Sequence, residues 1–403
     1  MLYRLEIENF YSIRDPQVID LRAAGHAPED PARLAPLWKG SKERAPKVVA
    51  LFGPNASGKS NVLRALSFIA WFVRDSFALP PHSRLPFERF NDAESLEEPT
   101  RLAVHFGGPE DIEQAYNPEV AQCRYAYEVV IGGASQHAVL NEALNYWPSR
   151  AARKVRLFER TAEGKITAAK AFGLAGYRQA LEKVLRPNVS VISTLAQLKH
   201  PFSTQLRNAA SLVLSNILIE RSEGSEDQIV QHYAANPKLV EVFNREVARV
   251  DFGIRALELQ AGPHGPVALF RHEGLAHPMP LMYESHGTRQ FLKLYPVLLR
   301  ALETGGVAVL DELDTAIHPV ILPEFLRWFH AVERNPYDAQ LWMSCQSVSL
   351  LENLTKEEVL FCDKDSRGRT EVYGLRDIQA VRRKDNYYKK YLGGAYGAIP
   401  QIG

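Results

Sequence analysis

Near the start of the chain Tyr3, Leu5 and Ile7 alternate with Arg4, Glu6 and Glu8. A period of two predicts a strand with one buried and one wet face. Residues 18–21 are placed to pair with it, and 23–47, rich in Pro, Ala and charge, reads as a loop. The unbroken apolar run of residues 48–52 predicts a strand covered on both faces. Residues 61–73 then set Val62, Leu66, Ile69 and Val73 at helical spacing with no proline, so a helix follows. Beyond a connection punctuated by Pro80, Pro81 and Pro86, the segments 102–106, 124–131 and 154–159 predict an antiparallel block with a turn at Gly132-Gly133.

Helical periodicity takes over in 177–186, 204–219 and 237–250, and the polar tract 220–227 reads as a solvated linker. The α/β alternation then returns. A hairpin is expected from 257–260 and 267–270, and a helix over 287–302 with Phe291, Leu294, Leu298 and Leu302 on one face. Residues 307–310 form a second fully apolar strand, with further strands at 341–343, 359–362 and 371–373. The pattern predicts an α/β fold with a mixed sheet, an antiparallel β block and a helical insertion. It divides as residues 1–175, 176–250 and 251–403.

Composition narrows this little. A net charge of +1 over 403 residues excludes a global field for nucleic acid or membrane, so any such surface is local. Cys123, Cys345 and Cys362 form no C-x-x-C pair, which points to a reducing, cytoplasmic setting. The start of the chain lacks a signal-peptide hydrophobic region, and no apolar stretch has the ~18–20 residues that span a bilayer.

The informative chemistry lies between the first apolar strand and its helix. Gly53-Pro54-Asn55-Ala56-Ser57-Gly58-Lys59-Ser60 matches the phosphate-cradling loop G-x-x-x-x-G-K-[ST] at each fixed position, with Asn61 opening the helix behind it. Glycines let successive backbone N–H groups and a helix N-terminus face a polyphosphate. Lys59 is expected on the terminal phosphates and the Ser60 hydroxyl on Mg²⁺. The strand of residues 307–310 runs into Asp311-Glu312. Asp311, at a strand's carboxyl end, fits the Mg²⁺ or its waters, and Glu312 fits a base for an attacking water. Ser285-His286-Gly287 opens the 287–302 helix. It reads either as an anion-facing helix end or as an N-cap turn.

The phosphate loop, Ser285-His286-Gly287, Asp311-Glu312 and Leu313-Asp314-Thr315-Ala316 stand in an order and spacing that resembles ABC-type ATPase heads of the SMC and RecF branch. Within that branch the chain is similar to stand-alone bacterial ATPases of the abortive-infection or RloA-like phage-defence group. The opening Ile7-Glu8-Asn9-Phe10-Tyr11-Ser12, the loop's Asn55, Ile317-His318-Pro319 and the closing Tyr391–Pro400 run share the likeness. The resemblance implies an ABC head whose two lobes are 1–175 and 251–403, with ATP and Mg²⁺ as cofactors. It also implies a homodimer, or higher assembly, in which Ser285 and Gly287 meet the γ-phosphate of the other subunit while Asp314 lies at the seam. A partner effector, a nuclease or toxin, would be held and released; the alternative is a RecF-like DNA-repair ATPase.

One residue departs from the family's pattern. Where a switch histidine is expected after the strand of residues 341–343, this chain has Gln346, an amide that donates but cannot become cationic. Slow or absent hydrolysis with intact ATP binding would follow, whether the residue is natural or substituted. No equivalent of the Gln with which ABC heads sense Mg²⁺ stands out. The basic, aromatic stretch 382–391 could hold nucleic acid, or could be a charged helix docked on the chain's own surface.

Overall fold

A computed structural model describes residues 1–25, 27–115, 117, 119–132, 138–149, 153–221, 224–250, 253–315 and 317–399. The expectations on Gly133, Ala316 and Pro400, and the middle of the 220–227 tract, lie outside them.

Strand β1 (Leu2–Glu8) buries alternate residues as its pattern predicts, and β2 (Gln17–Asp20) pairs antiparallel with it, Leu5 opposite Ile19. The expected loop of 23–47 is corrected in part. It holds a short antiparallel pair, β3 (Leu34–Pro36) and β4 (Arg44–Pro46), too brief to leave a periodic signal. Strand β5 (Val48–Phe52) is buried at all five positions, and helix α1 (Lys59–Asp75) follows the phosphate loop. Each large aliphatic side chain buried this way contributes roughly 1.5–3 kcal/mol.

The antiparallel block is β6 (Thr100–Pro109), β7 (Gln122–Gly132), β8 (Ala138–Trp147), β9 (Val155–Thr161) and β10 (Ile166–Ala168). With β1 and β2 it makes a seven-stranded sheet in the order β10-β9-β8-β7-β6-β1-β2. The sequence pattern missed β8 because Glu142 and Asn145 interrupt its apolar alternation while being buried themselves. Glu142 is satisfied by the Tyr127 hydroxyl at 2.9 Å, the Ser190 hydroxyl at 2.7 Å and the Val191 N–H at 2.9 Å. Burial pushes its carboxyl above the usual range, opposed by Arg160 and these donors.

Helices α2 (Arg178–Val184), α3 (Val191–Gln197) and α4 (Pro201–Ala210) follow. The helix expected over 204–219 is the largest correction. Helix α4 ends at Ala210, and Val213–Ser215 becomes strand β11, which pairs in parallel with the strand of residues 307–310. Pro201 at the first turn and the His200 ring, which accepts from the Ser203 N–H, start α4 earlier than its periodicity suggests. Helices α5 (Glu226–Ala234) and α6 (Pro237–Val250) come next, α6 over the expected residues and α5 opening inside the tract read as linker.

The hairpin is β12 (Ile254–Gly262) with β13 (Gly265–His272), extended by β14 (Met279–Pro280). Helix α7 (His286–Thr304) leads to β15 (Val307–Leu310); α8 (Leu322–His330), β16 (Gln340–Ser344), β17 (Val359–Lys364), β18 (Thr370–Gly374) and α9 (Tyr387–Leu392) complete the chain. The second large sheet has the order β11-β15-β16-β5-β17-β18, parallel throughout except for β18. One apolar cluster fills the space between the antiparallel sheet and α1, the other lies behind the parallel sheet under α7 and α8. The parallel strands aim their carboxyl ends at one edge, where α/β folds hold ligands. This is a mixed α/β fold in which the phosphate loop joins the central parallel strand β5 to helix α1.

Candidate functional site

The phosphate loop bends sharply at two glycines. Gly53 has φ 148° and Gly58 φ 102°; a Cβ would stand 2.2 Å from the Cys362 carbonyl oxygen at the first and 2.2 Å from the Thr370 hydroxyl at the second. Both sites therefore require glycine for close approach as well as for conformation. The loop is fastened from outside. Thr370 on β18 donates to the Ser57 carbonyl at 2.9 Å and meets Ser12 at 2.7 Å, while Asn61 donates to the Ser12 hydroxyl at 2.7 Å. Gly58 caps α1 without a side chain, so the helix's first N–H groups are left to whatever enters the loop.

Lys59 is buried, its ammonium donating to the carbonyls of Gly53 at 2.8 Å and Pro54 at 2.9 Å. Burial lowers its pKa from the ordinary lysine value, against the pull of Cys362, Asp311 and Glu312. Opposite stands the end of β15. Ser60 donates to Asp311 Oδ1 at 2.9 Å, and Ser344, at the end of β16, donates to the same oxygen at 2.6 Å. Ser60 and Asp311 are 251 residues apart, joined because β5, β16 and β15 run in parallel register. Their adjacent hard oxygens suit Mg²⁺, which takes its remaining ligands from phosphate and water.

Glu312 holds φ 50°, unusual for a residue with a side chain, and its N–H donates to Ser344 Oγ at 2.7 Å. Its Oε1 faces the Gln346 amide at 3.4 Å, and its Oε2 accepts from Arg221 at 2.6 Å. Asp314 takes the backbone N–H groups of Gln346 and Ser347 at 2.8 and 2.5 Å on one carboxylate oxygen, fixing the switch segment to the acidic pair. A cleft of about 370 Å³ is lined by Asn55, Ala56, Ser57, Gly58, Lys59, Ser60, Asn61, Glu312 and Gln346, together with Ser12, Arg64, Ser344 and Lys364. Inside the loop the Ser57 hydroxyl is buried with no protein partner, an orphan that a phosphate oxygen would satisfy.

Ser285 and Gly287 are not brought to this cleft. Ser285 is exposed and caps α7, accepting from the Thr288 N–H at 3.1 Å. The cap geometry is thus realised within the chain.

Two residues escaped the sequence reading. Asn216, just past β11, accepts from the Asp311 N–H at 2.8 Å and donates to the Asp311 carbonyl at 3.1 Å, bracing the strand end from the side. Arg221 lies in the tract read as a solvated linker, a reading its ion pair with Glu312 corrects. No local motif marks either residue. The basic stretch 382–391 is docked on the chain itself: Arg383 pairs with Glu357, and Tyr391 stacks on Phe361 with centroids 5.4 Å apart. Among the described residues no helix is long and apolar enough to cross a membrane.

Several solved SMC heads are similar in outline. The SMC head domain from Thermotoga maritima is 14% identical, covering 93% of this chain and 98% of its own, with a TM-score of 0.41. An Smc head with an extended coiled coil, bound to the C-terminal domain of ScpA and derived from Pyrococcus furiosus, is 13% identical over 93% and 96%, with a TM-score of 0.44. No curated protein matches the chain. A family model described as "AAA domain, putative AbiEii toxin, Type IV TA system" matches residues 48–112 and 136–352, well over half of the sequence and inclusive of every cleft element from the phosphate loop to Gln346, and the chain belongs to that family.

Proposed function

We propose that this protein binds ATP with Mg²⁺, closes as a dimer around it, and hydrolyses it to regulate a partner effector in phage defence. The observation that carries the proposal is the convergence of Lys59, Ser60 and Glu312 on one cleft, with Asp311 bonded to Ser60 and Ser344 of its lining. Bound Mg²⁺ neutralises developing charge on the phosphates. The chain's own residues do the rest. The loop's N–H groups and α1 cradle the β- and γ-phosphates, and Lys59 leaves its carbonyl partners for phosphate oxygens. Ser60 and Asp311 hold the cation side, while Glu312 takes the proton of the attacking water. Gln346 touches the base with an amide, which supports a slow cycle.

Ser285 and Gly287 act in trans in this reading. Their helix end is exposed and away from the cleft of its own chain, as a face completed by a second copy would be. A C₂ dimer would place each Ser285 on the other subunit's nucleotide. The division into lobes 1–175 and 251–403 with an insertion at 176–250 belongs to the same proposal, β11 being the insertion's strand in the shared sheet. The family's description, a putative toxin of a type IV toxin–antitoxin system, supports the defence setting; a nuclease or toxin as the partner effector is part of the same proposal.

The test is phage plating on cells that carry the gene with its neighbours. Protection lost on Lys59→Ala supports the proposal; protection that survives without nucleotide binding sinks it. A purified chain whose ATP turnover is strongly stimulated by DNA would instead favour the RecF-like repair reading.

A further inference from the structure

The catalytic-site candidate Glu312 is gripped from behind. Its carboxylate has two oxygens with different surroundings. Oε1 faces Gln346, which lines the cleft, whereas Oε2 accepts from Arg221 Nη1 at 2.6 Å, and Arg221 is not among the residues lining the cleft. We propose that Arg221 is a positioning residue for Glu312, fixing its carboxylate so that one oxygen stays turned toward the nucleotide cleft; this rests on the hydrolytic reading above.

Arg221 is itself well held. The chain leaving β11 turns at once, with Ser215 Oγ donating to the Ile217 carbonyl at 2.8 Å and Ile217 bridged antiparallel to Arg221. Because β11 lies in parallel register beside β15, this turn comes out next to the strand end that carries Glu312. Four residues beyond Arg221, Ser225 and Gln228 form a capping box that starts α5, and Glu226 pairs with Arg289 on α7 at 3.1 Å. Arg221 is thus tied to the acidic pair, and Glu226 to the first turn of the Ser285 helix.

A lone carboxylate on a flexible side chain samples several rotamers, and only some present an oxygen to water at the right distance. At Glu312 the backbone is already committed by its φ of 50° and by the bond to Ser344, so side-chain rotation is the remaining freedom. A guanidinium on Oε2 removes it while leaving Oε1 on the working side. Thr315 Oγ1, 3.4 Å from Oε2, is too far to do this alone.

Steady-state turnover of Mg-ATP and equilibrium ATP binding, measured on the whole chain carrying Arg221→Ala, Arg221→Lys, Glu312→Gln and the double change, test the proposal. The expected result is a kcat lower by ~10–100-fold in Arg221→Ala, the usual loss when the outer partner of a working side chain is removed. ATP binding stays unchanged, Arg221→Lys restores most of the rate, and Arg221→Ala added to Glu312→Gln costs nothing more. Arg221→Gln, checked by its thermal midpoint, serves if the alanine variant does not fold. A rate that is unaltered or raised in Arg221→Ala, a loss confined to ATP binding, or a full further loss in the double variant each overturns the positioning role. An unaltered chain that binds ATP but never turns it over overturns the hydrolytic reading, and the role of Arg221 with it.

Discussion

Two long helices of this chain begin in opposite ways. Helix α1 starts at Gly58 with no side-chain cap, its first N–H groups open to a cleft already furnished with Lys59 and Ser60. Helix α7 starts at Ser285, whose hydroxyl takes up the Thr288 N–H. The first is an open helix end facing a cleft lined by a lysine and hydroxyls; the second is a finished helix end that still faces outward. A cap that is already satisfied stabilises α7 by about 1 kcal/mol before any ligand arrives, so a nucleotide must offer contacts beyond that bond. A helix end left uncapped is poised to bind, whereas a capped one is poised to be presented.

The sharpest break in this comparison comes at the acidic pair. Glu312→Gln keeps the shape of the α1 site and removes the charge of the proposed base, so turnover should fall by roughly 10²–10⁴-fold while ATP still binds. Light scattering should then show a longer-lived dimer. Turnover at the parent rate would mean that another group takes the proton. Lys59→Ala attacks the binding side of the same helix end. ATP affinity should drop at least ~100-fold, about 2.7 kcal/mol, as read by calorimetry. An unchanged affinity would remove the phosphate-loop assignment altogether.

At α7 the prediction separates cap from interface. Ser285→Ala should cost about 1 kcal/mol of stability in a denaturant melt. Ser285→Arg places a bulky cation at the outward face; it should leave ATP binding to the single chain intact and abolish the ATP-dependent dimer seen in sedimentation. A dimer that forms normally in Ser285→Arg would reduce the residue to its cap, and the contrast between the two helices would lose its functional meaning.

How legible each region was follows from where its information lies. The phosphate loop, β5 and β15 were readable because their signals are local: a spaced motif and two runs buried on both faces. Helix α6 and the β12–β13 hairpin were readable for the same reason. Strand β8 was hidden by Glu142, a buried charge whose partners Tyr127 and Ser190 come from elsewhere in the chain. Strand β11 was hidden by its three-residue length and by the helical period leading into it, since only pairing with β15 makes it a strand. The contacts of Asn216 and Arg221 span 95 and 91 residues and depend on that same pairing, so missing β11 meant missing both.

The smallest expected effect lies at Gln346. Its backbone N–H is tied to Asp314 at 2.8 Å, so replacing the side chain should leave the segment in place. Its amide nitrogen sits 3.4 Å from Glu312 Oε1, close enough for a ring in the same position to reach the proposed base. Histidine differs from glutamine there chiefly in charge, since it can become cationic near an ordinary pKa of about 6.5. Gln346→His should therefore raise turnover by up to ~10-fold, with the gain largest below about pH 6.5, where the ring is charged, and fading as pH rises through that value. Glutamine has no such titration, so the ratio of the two rates against pH isolates the effect. A ratio that stays at one across pH 5.5–8 would show that a cation at this position is not what limits the α1 site, and attention would pass to dimer closure at α7.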